Sequence, residues 1–145
     1  MKTLKVMIGL PRSGKSTWIR YNKTNEVIVS ADDLRYIVYG QRFWADGEPN
    51  MWAIRGMMLK CLMQQGVDLI IDETNTTKER RKPILKMAQE YGYCVTGYVI
   101  MTDEKECISR AIEEQQPNLI GVIERMSKQF QQPEINEGFE RLIFI

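Results

Sequence analysis

The chain has 145 residues, 43% of them hydrophobic, enough to bury one sizeable core and too few for two ordinary domains, so a single domain over 1–145 is expected. Twenty Lys and Arg against nineteen Asp and Glu leave a net charge of +1, which excludes the dominant field of a nucleic-acid or membrane surface; an anionic ligand has to be held by a local cluster. Cys61, Cys94 and Cys107 are scattered without Cys-x-x-Cys spacing, which predicts reduced thiols in a cytoplasmic protein and neither a zinc site nor a disulfide frame. No histidine is present, so any general base has to be an Asp or a Glu.

The first predicted element is a strand from Leu4 to Ile8. The apolar run that contains it holds Lys5 and leads straight into glycine, too short and wrongly flanked for a signal peptide, and no segment is long enough to span a bilayer. Gly9-Leu10-Pro11-Arg12-Ser13-Gly14-Lys15-Ser16 follows and matches the phosphate-cradling pattern G-x-x-x-x-G-K-[ST] in full. Ser16-Thr17-Trp18-Ile19 then opens a helix whose N-terminal amides and positive dipole end face a phosphate. The candidate nucleotide-binding residues are therefore Gly9, Pro11, Arg12, Ser13, Gly14, Lys15, Ser16 and Thr17. In this reading the glycines let the backbone approach the phosphates of ATP, Lys15 neutralises the β and γ oxygens, and Ser16 ligates Mg2+.

A second strand, Val27 to Ser30, runs into Ala31-Asp32-Asp33-Leu34-Arg35, two carboxylates at a strand end with Arg35 one helical turn onward. A substrate hydroxyl could meet Asp32 there; equally, Asp32 or Asp33 could cap a helix with Arg35 on its solvated face. Tyr39 to Pro49 reads as a long irregular segment. A helix follows from Met51 to Gln65, with Met51, Ile54, Met58, Cys61 and Leu62 on one face and Gly66 as its stop. Strand three, Val67 to Ile71, ends in Asp72-Glu73-Thr74-Asn75, an arrangement suited to holding magnesium through either acid. The basic cluster Lys78-Glu79-Arg80-Arg81-Lys82 either positions an anionic substrate or forms a solvated helix face. It opens a predicted helix from Lys78 to Tyr91 in which Pro83 marks a late start or a kink. Strand four spans Cys94 to Ile100, helices follow from Asp103 to Glu114 and from Leu119 to Phe130, and a fifth strand closes the chain from Arg141 to Ile145. Near-continuous apolar strands alternating with helices predict an α/β three-layer sandwich, a five-stranded parallel sheet with helices on both faces.

In order, Gly9 to Trp18, Asp32-Asp33-Leu34-Arg35, Asp72-Glu73-Thr74-Asn75 with Glu79-Arg80-Arg81, Lys128-Gln129-Phe130 and Glu137-Gly138-Phe139 make the chain resemble the P-loop kinase domain of polynucleotide 5′-hydroxyl kinases. The resemblance implies that Asp32 accepts the proton from a 5′-hydroxyl of RNA or DNA and that Arg35 contacts the neighbouring phosphate. It implies ATP and magnesium at Lys15 and Ser16, with Asp72 or Glu73 serving the metal. Arg80 and Arg81 join the substrate candidates. Relatives carry two lid arginines; here Arg110 is followed by Ala111-Ile112-Glu113-Glu114-Gln115-Gln116, so transition-state charge falls on Lys15, magnesium and Arg110, with Arg125 or Lys128 as further helpers. Separate phosphatase or ligase partners would complete any end repair. The alternatives are a kinase of a small hydroxylated metabolite, nucleoside or antibiotic, and a nucleotide-dependent switch protein. Against the switch, Asn22-Lys23-Thr24-Asn25 lacks the final Asp of a guanine-specific motif. Trp18, Trp44 and Trp52 are expected in packing rather than base stacking.

Overall fold

Alternate residues of the first strand, β1 (Thr3–Ile8), serve two different interiors, as the two-residue period of a strand requires. Leu4, Val6 and Ile8 join the large core, whereas Met7 faces a smaller one with Ile19, Ile70 and Ile100. A computed structural model describes residues 1–145. After β1 come α1 (Lys15–Asn22), β2 (Val27–Ser30), α2 (Ala31–Tyr39), α3 (Glu48–Gln65), β3 (Leu69–Asp72), α4 (Lys78–Glu90), β4 (Cys94–Val99), α5 (Glu104–Glu113), α6 (Leu119–Gln129) and β5 (Arg141–Phe144). All strand pairs are parallel, in the order β2-β3-β1-β4-β5, with Leu4 opposite both Leu69 and Val95. Helices α3 and α4 cover one face through Leu59, Met63, Ile84, Leu85 and Ala88, and α1 covers the other through Ile19. Each fully buried Leu or Ile contributes about 1.5–3 kcal/mol. The expected α/β sandwich is the observed one. In a sheet of this order, loops from β1, β2 and β3 converge at the carboxyl edge, where open α/β sheets bind ligands.

Three local expectations, two at α3 and one at β3, are corrected, and α4 starts where expected. Helix α3 starts at Glu48, with Pro49 inside its first turn, so the irregular stretch after α2 is shorter than expected and holds a short 3-10 turn, Ala45–Gly47. Its buried stripe is Met51, Leu59 and Met63, with Arg55 between them; Ile54 and Cys61 face outward. Strand β3 starts two residues late, because the Val67 carbonyl is taken by the Tyr93 hydroxyl at 2.7 Å and the Asp68 carboxylate accepts from the Thr3 amide at 2.8 Å. Helix α4 begins at Lys78, where the Thr77 hydroxyl caps it by accepting from the Arg80 amide at 3.2 Å, and Pro83 is carried inside the helix.

Lys5 points to the thinly covered face and pairs with Glu26, which is 5% exposed. Burial alone would raise the Glu26 carboxyl, but the Lys5 ammonium and local backbone amides take it down to about 2. A carboxyl lowered on folding contributes stability that is complete above its unfolded value, near 4.5, and is lost as pH falls from there toward 2. Urea denaturation at pH 6 and pH 3 should therefore show wild type losing about 2 kcal/mol more than Glu26→Gln over that interval. Equal losses in the two proteins would remove this role.

Candidate active site

The loop between β1 and α1 folds as its sequence demands. Gly14 occupies a left-handed conformation at φ 105°, which a side chain resists, and supplies the N-terminal cap position of α1. At Gly9 a Cβ would stand 2.8 Å from the Ser13 hydroxyl and 3.3 Å from Ile100, so only glycine lets the loop lie this close to β4's end. Arg12 is also left-handed, at φ 65°, and its carbonyl accepts from Arg110 Nη1 at 3.1 Å. The Ser13 carbonyl accepts from the Thr102 hydroxyl at 2.7 Å, and the Gly9 amide donates to the Thr74 carbonyl at 2.9 Å. The loop is thus pinned by residues after β3 and β4 as well as by its own helix.

Lys15 is buried, its Nζ donating to the carbonyls of Leu10 and Gly9 at 2.7 and 3.0 Å. Burial pulls its ammonium down to about 8, opposed by the Asp72 carboxylate. The Ser16 hydroxyl donates to Asp72 Oδ2 at 2.8 Å. Burial raises the Asp72 carboxyl above its usual range, against the pull of that hydrogen bond and of Lys15. Glu73, expected as an equal candidate, lines the same cleft but is paired: its two oxygens accept from Arg55 Nη2 and Nε at 2.6 and 2.9 Å, closing a salt bridge to α3. A hydroxyl and one carboxylate side by side suit a magnesium ion, which is held through one or two carboxylates plus phosphate oxygens and water.

Ser30, at the end of β2, caps α2 by accepting from the Asp33 amide at 3.2 Å, so neither aspartate is needed as a cap. Asp32 is left on the first turn with its side chain 76% exposed toward a cleft of about 2740 Å³. Its Oδ1 accepts from Arg35 Nη1 at 2.8 Å, and Arg35 in turn grips Glu48 through Nε and Nη2 at 2.9 and 2.7 Å. Lys15, Ser16, Asp32, Asp72, Arg80 and Arg110 all line this cleft, and Arg125 reaches it from α6.

Arg81 does not line the cleft. The expectation that it would touch substrate is corrected: its side chain is wholly buried and donates to Glu137 at 2.8 and 3.1 Å and to the Asn75 carbonyl at 2.8 Å. Lys128 is exposed on α6 and does not line the cleft either. Three contributors escaped the sequence reading. Asn75, in a left-handed conformation at φ 47°, donates to the Met7 carbonyl at 2.9 Å and so ties the β3 loop to β1; its place after Asp72-Glu73-Thr74 was the available signal. Arg55 left no such signal, since its partner Glu73 lies 18 residues on, and Trp52, expected in packing, has the guanidinium groups of Arg35, Arg55 and Arg80 against its ring.

No curated protein matches the chain. Among solved structures, one titled "Structure of Pnkp1/Rnl/Hen1 complex" is 26% identical with TM-score 0.66 and covers 74% of this chain and 38% of that one. A second, the Pnkp1/Rnl/Hen1 RNA repair complex, is 21% identical with TM-score 0.68, covering 87% and 45%. The chain thus spans less than half of either. The Mycobacterium tuberculosis APS kinase CysC, solved with AMPPNP and APS, is 14% identical with TM-score 0.66 and is covered over 87% of its length by 98% of this chain. The fold is that of P-loop kinases. With residues 4–133 matching the AAA domain family, the chain belongs to that family.

Proposed function

We propose that the chain is an ATP-dependent phosphotransferase that passes the γ-phosphoryl group to a 5′-hydroxyl of RNA or DNA. The observation that carries this reading is a carboxylate, Asp32, exposed in the same cleft as the buried Lys15 and the Ser16–Asp72 pair and held there by Arg35. The acceptor oxygen forms a bond to the γ-phosphorus, the bond to the β–γ bridging oxygen breaks, the hydroxyl proton passes to Asp32, and ADP leaves. Gly9 to Thr17 would hold the phosphates, with Lys15 leaving its loop carbonyls to offset their charge. A magnesium ion, where bound by Ser16 and Asp72, would supply further charge compensation at the phosphate oxygens. Arg110, anchored on the Arg12 carbonyl beside the phosphate loop, would help offset charge on the transferring group.

The polynucleotide acceptor is supported by the ordered motifs and by the likeness to the RNA repair complex; phosphatase or ligase activities would come from partners. A small hydroxylated acceptor is the second reading, favoured by the near full-length match to an APS kinase. Incubation with γ-labelled ATP and a panel of 5′-hydroxyl RNA, 5′-hydroxyl DNA, nucleosides and sugar acids separates the two. Label is expected on the oligonucleotides. Label on a small acceptor alone would move the assignment to the metabolite class.

A further inference from the structure

The last turn of α5 clasps the phosphate loop at one residue. Arg110 Nη1 donates to the Arg12 carbonyl at 3.1 Å, and Glu114, at the C-terminal cap one helical turn on, pairs with the Arg12 guanidinium. Both side chains line the cleft. Strain collects at this junction. Arg12 and Gln115 are held in left-handed conformations, at φ 65° and 58°, which neither residue type adopts readily. The buried side-chain polar atoms left without a partner are Arg12 Nε and Gln116 Oε1. Strained backbone beside unmet hydrogen-bonding groups is a property of segments that change arrangement in use.

We infer that Arg12 is a second arginine on the transferring phosphoryl group, and that Glu114 holds it aside until the γ-phosphate of ATP takes it over. The inference rests on the kinase reading and adds two residues to it. Both cations of the loop rest on the protein's own oxygens, Lys15 on the Leu10 and Gly9 carbonyls and Arg12 on Glu114. Burial is the main cause of the lowered Lys15 ammonium, and the neighbouring Arg12 charge lowers it further, so an anion shared by the two relieves both. With side chains 31% and 44% exposed, the Arg12–Glu114 pair is weak. A phosphate group, with up to twice the charge and three acceptor oxygens, outcompetes a carboxylate for the guanidinium. Glu114 lies in the stretch where the resemblance leads one to expect a second lid arginine; the missing charge comes instead from the loop, at a position the G-x-x-x-x-G-K-[ST] pattern leaves free. Arg12 would donate N–H bonds to the γ oxygens while the Glu114 carboxylate, still ionised, turns to water, and no covalent change is added to the transfer. Glu114 acts through Arg12 and is a positioning residue. ADP, without a γ-phosphate, leaves the pair closed.

The test combines binding with transfer. Calorimetry with magnesium gives the affinities for AMPPNP and for ADP, and transfer to a 5′-hydroxyl oligonucleotide gives kcat, for wild type, Glu114→Gln and Arg12→Gly. Glycine is the residue that the left-handed backbone at position 12 accepts best, so Arg12→Gly keeps the loop and loses the guanidinium. Glu114→Gln should bind AMPPNP about five- to tenfold more tightly, with ADP within about twofold of wild type. Arg12→Gly should bind AMPPNP about tenfold more weakly, again with little change for ADP, and should lower kcat about 10²–10³-fold. A clasp that only braces the loop predicts the opposite sign at Glu114: both variants would then bind both nucleotides less well and unfold at lower denaturant. That result, or an Arg12→Gly enzyme with wild-type kcat, would overturn the inference. Absence of transfer to any acceptor, with the AMPPNP and ADP affinities responding as expected, would instead defeat the kinase reading and leave the exchange of Arg12 from Glu114 to the γ-phosphate standing.

Discussion

Replacing Asp32 with alanine lowers kcat for phosphoryl transfer by about 10²–10⁴-fold while the KM for ATP changes by no more than about twofold. The expectation follows from where the carboxylate stands. No histidine exists to substitute as base, Asp72 is engaged by Ser16, and Glu73 is paired with Arg55, which leaves the exposed α2 turn, where Asp32 is the carboxylate oriented by Arg35. Its hydrogen bond to Arg35 orients it without burying it, and a base that in the proposed reading meets the acceptor rather than the nucleotide should leave ATP binding intact when removed. Asp33→Ala, on the same exposed turn but outside the contact with Arg35, should keep nearly full activity. An Asp32→Ala enzyme as fast as wild type at saturating acceptor would show that proton removal needs no side chain here. Measuring kcat and KM for both substrates on the three proteins decides it.

Arg81→Ala should lower the free energy of unfolding by about 3–5 kcal/mol, the cost of stranding one partner of a buried ion pair. Arg81 is fully buried and makes three hydrogen bonds, two to Glu137 and one to the Asn75 carbonyl. It thereby fastens the turn before β5 to the loop that carries Asn75, which in turn holds β1 through the Met7 carbonyl. Burial alone would raise the Glu137 carboxyl; the hydrogen bonds from Arg81 hold it below its usual range. Its contribution is therefore present above the ordinary carboxylate value and fades as pH falls through the lowered one. Urea titration at pH 7 measures the loss, and the difference between wild type and Arg81→Ala should narrow in acid. The double replacement Arg81→Met with Glu137→Leu should recover most of the stability, because a buried pair exchanged for apolar side chains of similar size costs little. Normal stability with a raised acceptor KM in Arg81→Ala would return this residue to the substrate surface.

The part of the site written in short local patterns was legible from sequence. Gly9 to Ser16 announces its own loop because glycine conformation, helix start and lysine all lie within eight residues, and each strand end places its acid within two residues of the apolar run. The sheet was legible for the same reason: Leu69-Ile70-Ile71 and the alternation of β1 carry burial in their spacing. What stayed hidden depends on partners far along the chain. Arg81 reads as one more charge in a basic run until Glu137 is seen to meet it, and Arg55 reads as a solvated gap in a helix until Glu73 is seen beneath it. Spacing left Asp72 and Glu73 equivalent; they separate because alternate side chains at a strand's end point to opposite sides, one toward Ser16 and the other toward α3. Trp52 was expected in packing, and packing does hold it, but what packs on it is charge.

The most direct measurement is the position of label after reaction of a 5′-hydroxyl oligonucleotide with γ-labelled ATP and magnesium, compared with the same oligonucleotide already carrying a 5′-phosphate. The account predicts label on the first and none on the second, released by nuclease digestion as the 5′-terminal nucleotide and lost with Asp32→Ala. Label on neither oligonucleotide from a protein that binds ATP, or label that survives the Asp32 replacement, would contradict it.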